Sequence, residues 1–169
     1  LQLFFQEEFL RRLSKSKYSE NLILKGGLFI YTLTNFESRA TVDIDFLLRH
    51  MNGEMAHMDD VIGEIISTPT GNNDVVILSA KQTTPIALQR KYPGVSTQII
   101  GQIKNVRVPF DVDIGVGDII VPTVQKRTVK TQLDGYDAPE IFTYSLESTI
   151  AEKFDAILQR FELTGRMKD

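Results

Sequence analysis

Two pairs of aspartates, each split by a single apolar residue, are the residues of this sequence best suited to chemistry. Asp43 and Asp45 flank Ile44, and Asp111 and Asp113 repeat the arrangement further along the chain. Because side chains alternate faces along a strand, both aspartates of a pair share one face and their apolar neighbours share the other. Like charges held together favour a cation between them. The pairs therefore predict a two-magnesium site open to phosphate oxygens, and the alternative is a solvated sheet face.

The tripeptide Lys25-Gly26-Gly27 precedes a predicted helix and lies upstream of the first aspartate pair. Glycine lets a backbone approach a ligand closely, and the N-terminus of a helix offers unpaired N–H groups to phosphate. The motif therefore predicts a phosphate contact, and the alternative is a plain turn. No Gly-Lys-Ser/Thr phosphate loop occurs in the sequence.

Several cations are candidates for binding phosphate or RNA. Lys153 falls within the apolar stripe of a predicted helix, where its ammonium either passes its neighbours to reach solvent or points into a cleft and holds a triphosphate. Arg39 lies just before the first aspartate pair, where it can reach a phosphate or form an ion pair with Glu37. The remaining basic clusters, which either contact RNA or form solvated surface, are Arg11, Arg12, Lys15, Lys17, Lys126, Arg127 and Lys130.

The composition excludes several kinds of site. The chain has 169 residues, a formal charge of −3 and no cysteine, so disulfides, thiolate zinc sites, iron–sulfur clusters and cysteine nucleophiles are excluded. Only His50 and His57 are available, which excludes a histidine-rich metal site. No apolar run approaches the ~20 residues of a membrane span, and no signal peptide is evident. We therefore expect a soluble, cytoplasmic protein with no membrane partner.

The apolar periodicity predicts a mixed sheet with helices at both ends, which is an α+β arrangement. The predicted helices cover residues 3–13, 28–36, 54–67 and 145–163, and the predicted strands cover residues 41–48, 74–83, 95–104 and 106–116. Residues 166–169 open another helical pattern at the end of the chain, so we expect the sequence to be a fragment.

Four segments, in order, resemble the motifs of one protein family. Leu24-Lys25-Gly26-Gly27 together with residues 39–45 (RATVDID) resembles motif I of the nucleotidyltransferase-like AbiEii/AbiGii toxin family. Residues 113–118 (DIGVGD), 151–154 (AEKF) and 166–169 (RMKD) are similar to its second, third and fourth motifs. The resemblance spans residues 24–169.

The resemblance implies a polymerase-β-like nucleotidyltransferase core over residues 1–144, including the N-terminal helix, followed at 145–169 by the start of a truncated C-terminal helical region. It implies the toxin of a bacterial toxin–antitoxin or abortive-infection pair, with a cognate antitoxin as partner. The implied activity is magnesium-dependent transfer of a nucleoside monophosphate from a nucleoside triphosphate to an RNA, such as tRNA, or to a protein.

Site roles are also implied by the resemblance, residue by residue. The implied metal ligands are Asp43, Asp45 and Asp113, with Asp111 as the alternative third carboxylate because it shares a face with Asp113. The implied nucleotide-binding residues are Lys25, Gly26, Gly27, Arg39 and Lys153. The implied catalytic residues are the three metal ligands, Lys153 and the motif IV acidic residue Asp169.

Two departures from the pattern, the residue after Gly-Gly and the truncated C-terminal region, motivate a second hypothesis. Leu28 follows Gly-Gly where classical nucleotidyltransferases have serine, so no side-chain hydroxyl is available there for phosphate. The alternative function is a catalytically degenerate nucleotidyltransferase-fold module that binds a protein or RNA partner. A third alternative is a purely structural domain.

Overall fold

The computed structural model describes residues 1–34, 41–86, 94–116 and 124–165. The helices within these ranges are α1 (Gln2–Lys15), α2 (Gly26–Leu33), α3 (Met55–Ser67) and α4 (Leu146–Gly165). The strands are β1 (Leu22–Lys25), β2 (Ile44–Leu48), β3 (Ile77–Ala80), β4 (Thr84–Pro85), β5 (Gly94–Ile103), β6 (Val106–Gly115), β7 (Gln125–Thr128) and β8 (Glu140–Thr143).

The strands form one mixed sheet in the order β3-β5-β6-β2-β1-β8-β7, and β4 also pairs with β5. The β2–β6 and β1–β8 pairs are parallel, whereas the other pairs are antiparallel. The predicted α+β class and mixed sheet are confirmed. No helix in the described part of the chain has the length and apolar character needed to cross a lipid bilayer.

One face of the sheet forms the hydrophobic core beneath α1. The fully buried ring of Phe9 lies 6.1 Å from the ring of Phe46 on β2 and 6.4 Å from that of Phe110 on β6. A Cβ on Gly101 would lie 2.2 Å from the Phe5 ring, so only glycine lets α1 approach β5 this closely. Burial of each such aromatic side chain contributes about 1.5–3 kcal/mol to stability.

A charged network on the other side of α1 is also buried. Arg11 donates hydrogen bonds to Glu7 and Glu8, and it donates another, of 2.7 Å, to the carbonyl of Asp137. Arg12 donates a 3.0 Å hydrogen bond to Glu8 and a 2.6 Å hydrogen bond to the carbonyl of Val76. The prediction of Arg11 and Arg12 as a surface cluster for RNA is therefore wrong, because loops cover the polar side of α1 as well.

Two predicted strands are shorter in the structure. β2 begins at Ile44, so Asp43 precedes the strand and is not part of it. The predicted strand at residues 74–83 is reduced to β3, because the N–H groups of Val75 and Val76 close a turn onto the carbonyl of Asn72. The predicted helices at residues 3–13 and 54–67 are confirmed as α1 and α3.

The start of α4 agrees with the sequence prediction, but its apolar stripe is not buried. The N–H of Ser148 donates a 3.1 Å hydrogen bond to the hydroxyl of Ser145, which caps the helix. Leu146, Ile150 and Phe154 are 47–64% exposed. These three apolar side chains of α4 are therefore exposed to solvent in the described part of the chain.

Candidate active site

Three neighbouring strands place a lysine and two aspartates side by side. Lys25 on β1 lies opposite Asp45 on β2, and Asp45 lies opposite Asp113 on β6. Directly opposed residues on strands ~4.8 Å apart project to the same face of a sheet. The three side chains therefore form one line across the sheet, here called the Lys25–Asp45–Asp113 row.

The local sequence explains why this row faces away from the core. Ile44 and Phe46 flank Asp45, and Val112 and Ile114 flank Asp113; all four apolar side chains are buried. A shift in register by one residue would bring the aspartates into the core and expose these apolar residues. The alternation therefore holds both carboxylates on the second face, where they are half-buried.

Gly26 brings the backbone directly against the Asp45 carboxylate. Its φ is +69°, and a Cβ built there would lie 2.1 Å from Oδ2 of Asp45. Both observations require glycine at this position. α2 begins at this residue, so the first turn of that helix, whose N–H groups have no partner within the helix, lies beside the row.

A carboxylate from α4 contacts the lysine of the row. Nζ of Lys25 lies 3.3 Å from Oε1 of Glu152 and 5.6 Å from the centre of the Tyr144 ring. The side chain of Lys25 is only 18% exposed. The ion pair joins the first and third sequence motifs. Sequence reasoning did not identify Glu152 or Tyr144 as site residues, although Glu152 is adjacent to Lys153 in the third motif.

Asp111 occupies a different position from Asp113. Nε2 of Gln98 on β5 donates a 3.4 Å hydrogen bond to Oδ1 of Asp111, and Nζ of Lys81 donates a 2.7 Å hydrogen bond to Oε1 of Gln98. Asp111 is therefore linked toward the β5 side of the sheet. Asp113 is the residue of this pair that lies opposite Asp45.

The row contributes two carboxylates to a metal site, and Asp43 is half-buried immediately before β2. Among the described residues, no three His, Cys, Asp or Glu side chains come together as a metal-binding group. Two carboxylates nevertheless match the way Mg²⁺ is held in phosphoryl-transfer sites, where water and substrate phosphates supply the other ligands.

The remaining predicted site residues and RNA-binding cations differ in whether the structure describes them and in what they contact. Lys153 is exposed, and its ammonium makes no hydrogen bond or ion pair with any described residue. Arg39 and Asp169 lie outside the described residues. Three of the basic side chains proposed for RNA form exposed ion pairs, with N–O distances of 2.6–2.9 Å: Lys15, Lys17 and Lys126.

Comparison with solved structures shows a shared fold. A Helicobacter pylori protein, JHP933, has a TM-score of 0.54 and 15% identity, and the match covers 90% of this chain and 54% of that one. A second H. pylori chain, provisionally described as a nucleotidyltransferase, has a TM-score of 0.49 and 14% identity, covering 88% of this chain and 54% of its own. This chain thus spans about half the length of the solved chains it matches.

Comparison with protein families is more specific. No curated protein sequence matches the chain significantly. The family model described as nucleotidyl transferase AbiEii toxin, type IV toxin–antitoxin system, matches residues 8–169. That range contains all four motif segments and every element except the first residues of α1. The chain belongs to the AbiEii nucleotidyl transferase toxin family.

Proposed function

We propose that this chain is the core of a metal-dependent nucleotidyltransferase toxin that transfers a nucleoside monophosphate from a nucleoside triphosphate to an RNA acceptor such as tRNA. Family membership supports the enzyme class. The observation that carries the proposal for this chain is the Lys25–Asp45–Asp113 row, in which carboxylates and a cation lie beside the start of a helix.

Asp45 and Asp113 are the proposed metal ligands, supplemented by Asp43. They come from separate strands held in register, so the distance between the two carboxylates is set by the sheet and not by a flexible loop. A bound magnesium would offset charge on the triphosphate and lower the pKa of the acceptor hydroxyl. Asp113 is preferred to Asp111 as the third carboxylate because Asp113 is the one that lies directly opposite Asp45.

Lys25 is proposed to stabilise negative charge on the triphosphate. Its ammonium lies in the row beside Asp45, in a largely buried position where electrostatic interactions are stronger than in water. Glu152 orients it. Lys153 follows Glu152 on α4 and is proposed to bind the outer phosphates from the exposed side of the site. Arg39 and Asp169 keep the phosphate-binding and catalytic roles that the family motifs imply.

Gly26 and Gly27 are proposed to let phosphate oxygens approach the N–H groups of the first turn of α2. Leu28 is buried and offers no hydroxyl, so these backbone donors would bind the phosphate without side-chain help. Nucleoside triphosphates and tRNA are cytoplasmic, so the proposal places the protein there. A type IV toxin also implies a cognate antitoxin as partner.

The test is incubation with each labelled nucleoside triphosphate, Mg²⁺ and total RNA. Asp45→Asn should lower transfer at least ~100-fold, since metal-mediated charge stabilisation is worth several kcal/mol. Asp60→Asn, at an exposed aspartate of α3, is the matched control and should retain activity. Transfer that persists in Asp45→Asn refutes the site assignment. If the wild-type chain neither transfers nor binds triphosphate, the degenerate binding module becomes the better description.

A further inference from the structure

A polar groove lies at the end of β2 opposite the aspartates. Its cavity measures about 450 Å³, which is within the range of ligand-binding sites. The lining side chains that bear on its chemistry are Lys17, Glu20, Asn21, Arg49, His50 and Phe142. This set is called the Arg49 groove below.

The groove lies where β1 begins and β2 ends. The N–H of Arg49 donates a 2.8 Å hydrogen bond to the carbonyl of Asn21, and Nδ2 of Asn21 donates a 3.0 Å hydrogen bond to the carbonyl of Arg49. The backbone bond lies next to Leu22 and Leu48, the last pair of the β1–β2 ladder. Arg49 directly follows the last residue of β2 and is four residues after Asp45, which corresponds to about 13 Å of extended chain.

Phe142 on β8 lines the groove from the side of β1 opposite to β2. The next residue, Thr143, pairs with Leu24, so Phe142 lies beside Ile23 on the face opposite the α1 core. Ile23 and Leu47, which lie on this face between the groove and the row, are buried. The groove is therefore separate from the proposed catalytic site.

The chemistry of the groove suits a nucleotide unit of RNA. Arg49 is half-buried, and its guanidinium makes no hydrogen bond or ion pair with any described residue. A guanidinium with free donors matches a phosphate group, and an aromatic ring such as Phe142 offers a surface on which a base can stack. Asn21, His50 and Glu20 add hydrogen-bonding groups for base edges and ribose hydroxyls, which a site for a simple anion does not need.

We propose that the Arg49 groove binds a single-stranded segment of the RNA acceptor, with Arg49 on a phosphate and Phe142 stacked on a base. The role as acceptor site rests on the proposed function, whereas RNA binding itself does not. Lys17 is held by Glu64 at 2.6 Å, so Arg49 is the principal phosphate-binding group of the groove.

The test is fluorescence anisotropy with a labelled single-stranded RNA, in the absence of nucleoside triphosphate. Arg49→Ala should weaken binding and reduce the slope of log affinity against log salt by about 0.7, the value for one lost phosphate contact. Phe142→Leu keeps an apolar side chain but removes the ring, and it should weaken binding about fivefold or more. Arg107→Ala removes the same charge from an exposed position on β6 and is the matched control.

Thermal unfolding of each variant verifies that Phe142→Leu, at a half-buried position, still folds, and Arg49→Ala tests the groove without altering the core. The proposal is supported if both groove variants bind RNA less tightly while Arg107→Ala binds normally. It is overturned if the control loses as much affinity, if neither groove variant changes binding, or if inorganic polyphosphate of equal charge competes as well as RNA. Asp45→Asn should lower transfer at least ~100-fold and leave RNA affinity unchanged, which separates failure of the proposed enzyme from failure of the groove.

Discussion

Replacing Glu8 by alanine should lower the free energy of unfolding by about 3–5 kcal/mol, the range observed when one partner of a buried ion pair is removed. Glu8 is fully buried. Its carboxylate accepts hydrogen bonds from Arg11, Arg12, Thr70 (2.7 Å) and Asn72 (3.3 Å). The substitution leaves two buried guanidinium groups without this counter-charge. It also removes the hydrogen bonds by which Thr70 and Asn72, in the loop after α3, contact α1.

The pH dependence of stability provides a second readout. Burial raises the pKa of Glu8, but hydrogen bonds from Thr70, Arg12, Arg11 and Asn72 together outweigh it and lower the pKa below the ordinary value of 4.5. A group whose pKa is lower in the folded state stabilises the fold above the unfolded pKa and loses that contribution as pH falls through the folded pKa. Wild-type stability should therefore decline below pH 4.5, and Glu8→Ala should flatten that decline.

Urea unfolding of both proteins between pH 7 and pH 3, followed by far-UV circular dichroism, measures both effects. Glu64→Ala is the control, because Glu64 is an exposed carboxylate whose ion pair with Lys17 lies at the surface, and the substitution should change stability little. The assignment of a buried network that supports α1 would be refuted by a loss of unfolding free energy below ~1 kcal/mol for Glu8→Ala. It would also be refuted if the stability of the two proteins declined equally steeply at acid pH.

Two further predictions concern the elements around the candidate site. Gly26→Ala should abolish nucleotide transfer, because the added Cβ would collide with the Asp45 carboxylate. Gly71→Ala is the control: Gly71 also has a positive φ, but no atom lies near its added Cβ. This variant should lose only ~1 kcal/mol of stability to backbone strain and should keep its activity. Ser145→Ala should destabilise the N-terminus of α4 by ~1 kcal/mol, because it removes the cap that accepts from the N–H of Ser148. Thermal melts measure that loss, and Ser67→Ala at the exposed end of α3 should melt like the wild type.

Features that depend on neighbours within a few residues were predictable. The sequence correctly predicted β5 and β6 from their alternation and α1 and α3 from the helical spacing of their apolar residues. An element that packs on a core places apolar residues at the period of its own structure, so that period identifies it. The same reasoning put the aspartates on the face opposite their apolar neighbours. This reasoning failed at Asp43, because the alternating pattern extends to residues before Ile44, where β2 begins.

The sequence by itself determined the family, the α+β class, the faces of the aspartates and the cap at Ser145. Motifs, periodicity and capping depend on the types of residues that lie close together in the sequence. Only the tertiary structure decided that Asp113, and not Asp111, lies opposite Asp45, because strand register is set across the sheet. It alone showed the ion pair between Lys25 and Glu152, 127 residues apart. It also decided that the arginines of α1 are buried, because which elements cover a polar helix face depends on how distant parts of the chain pack.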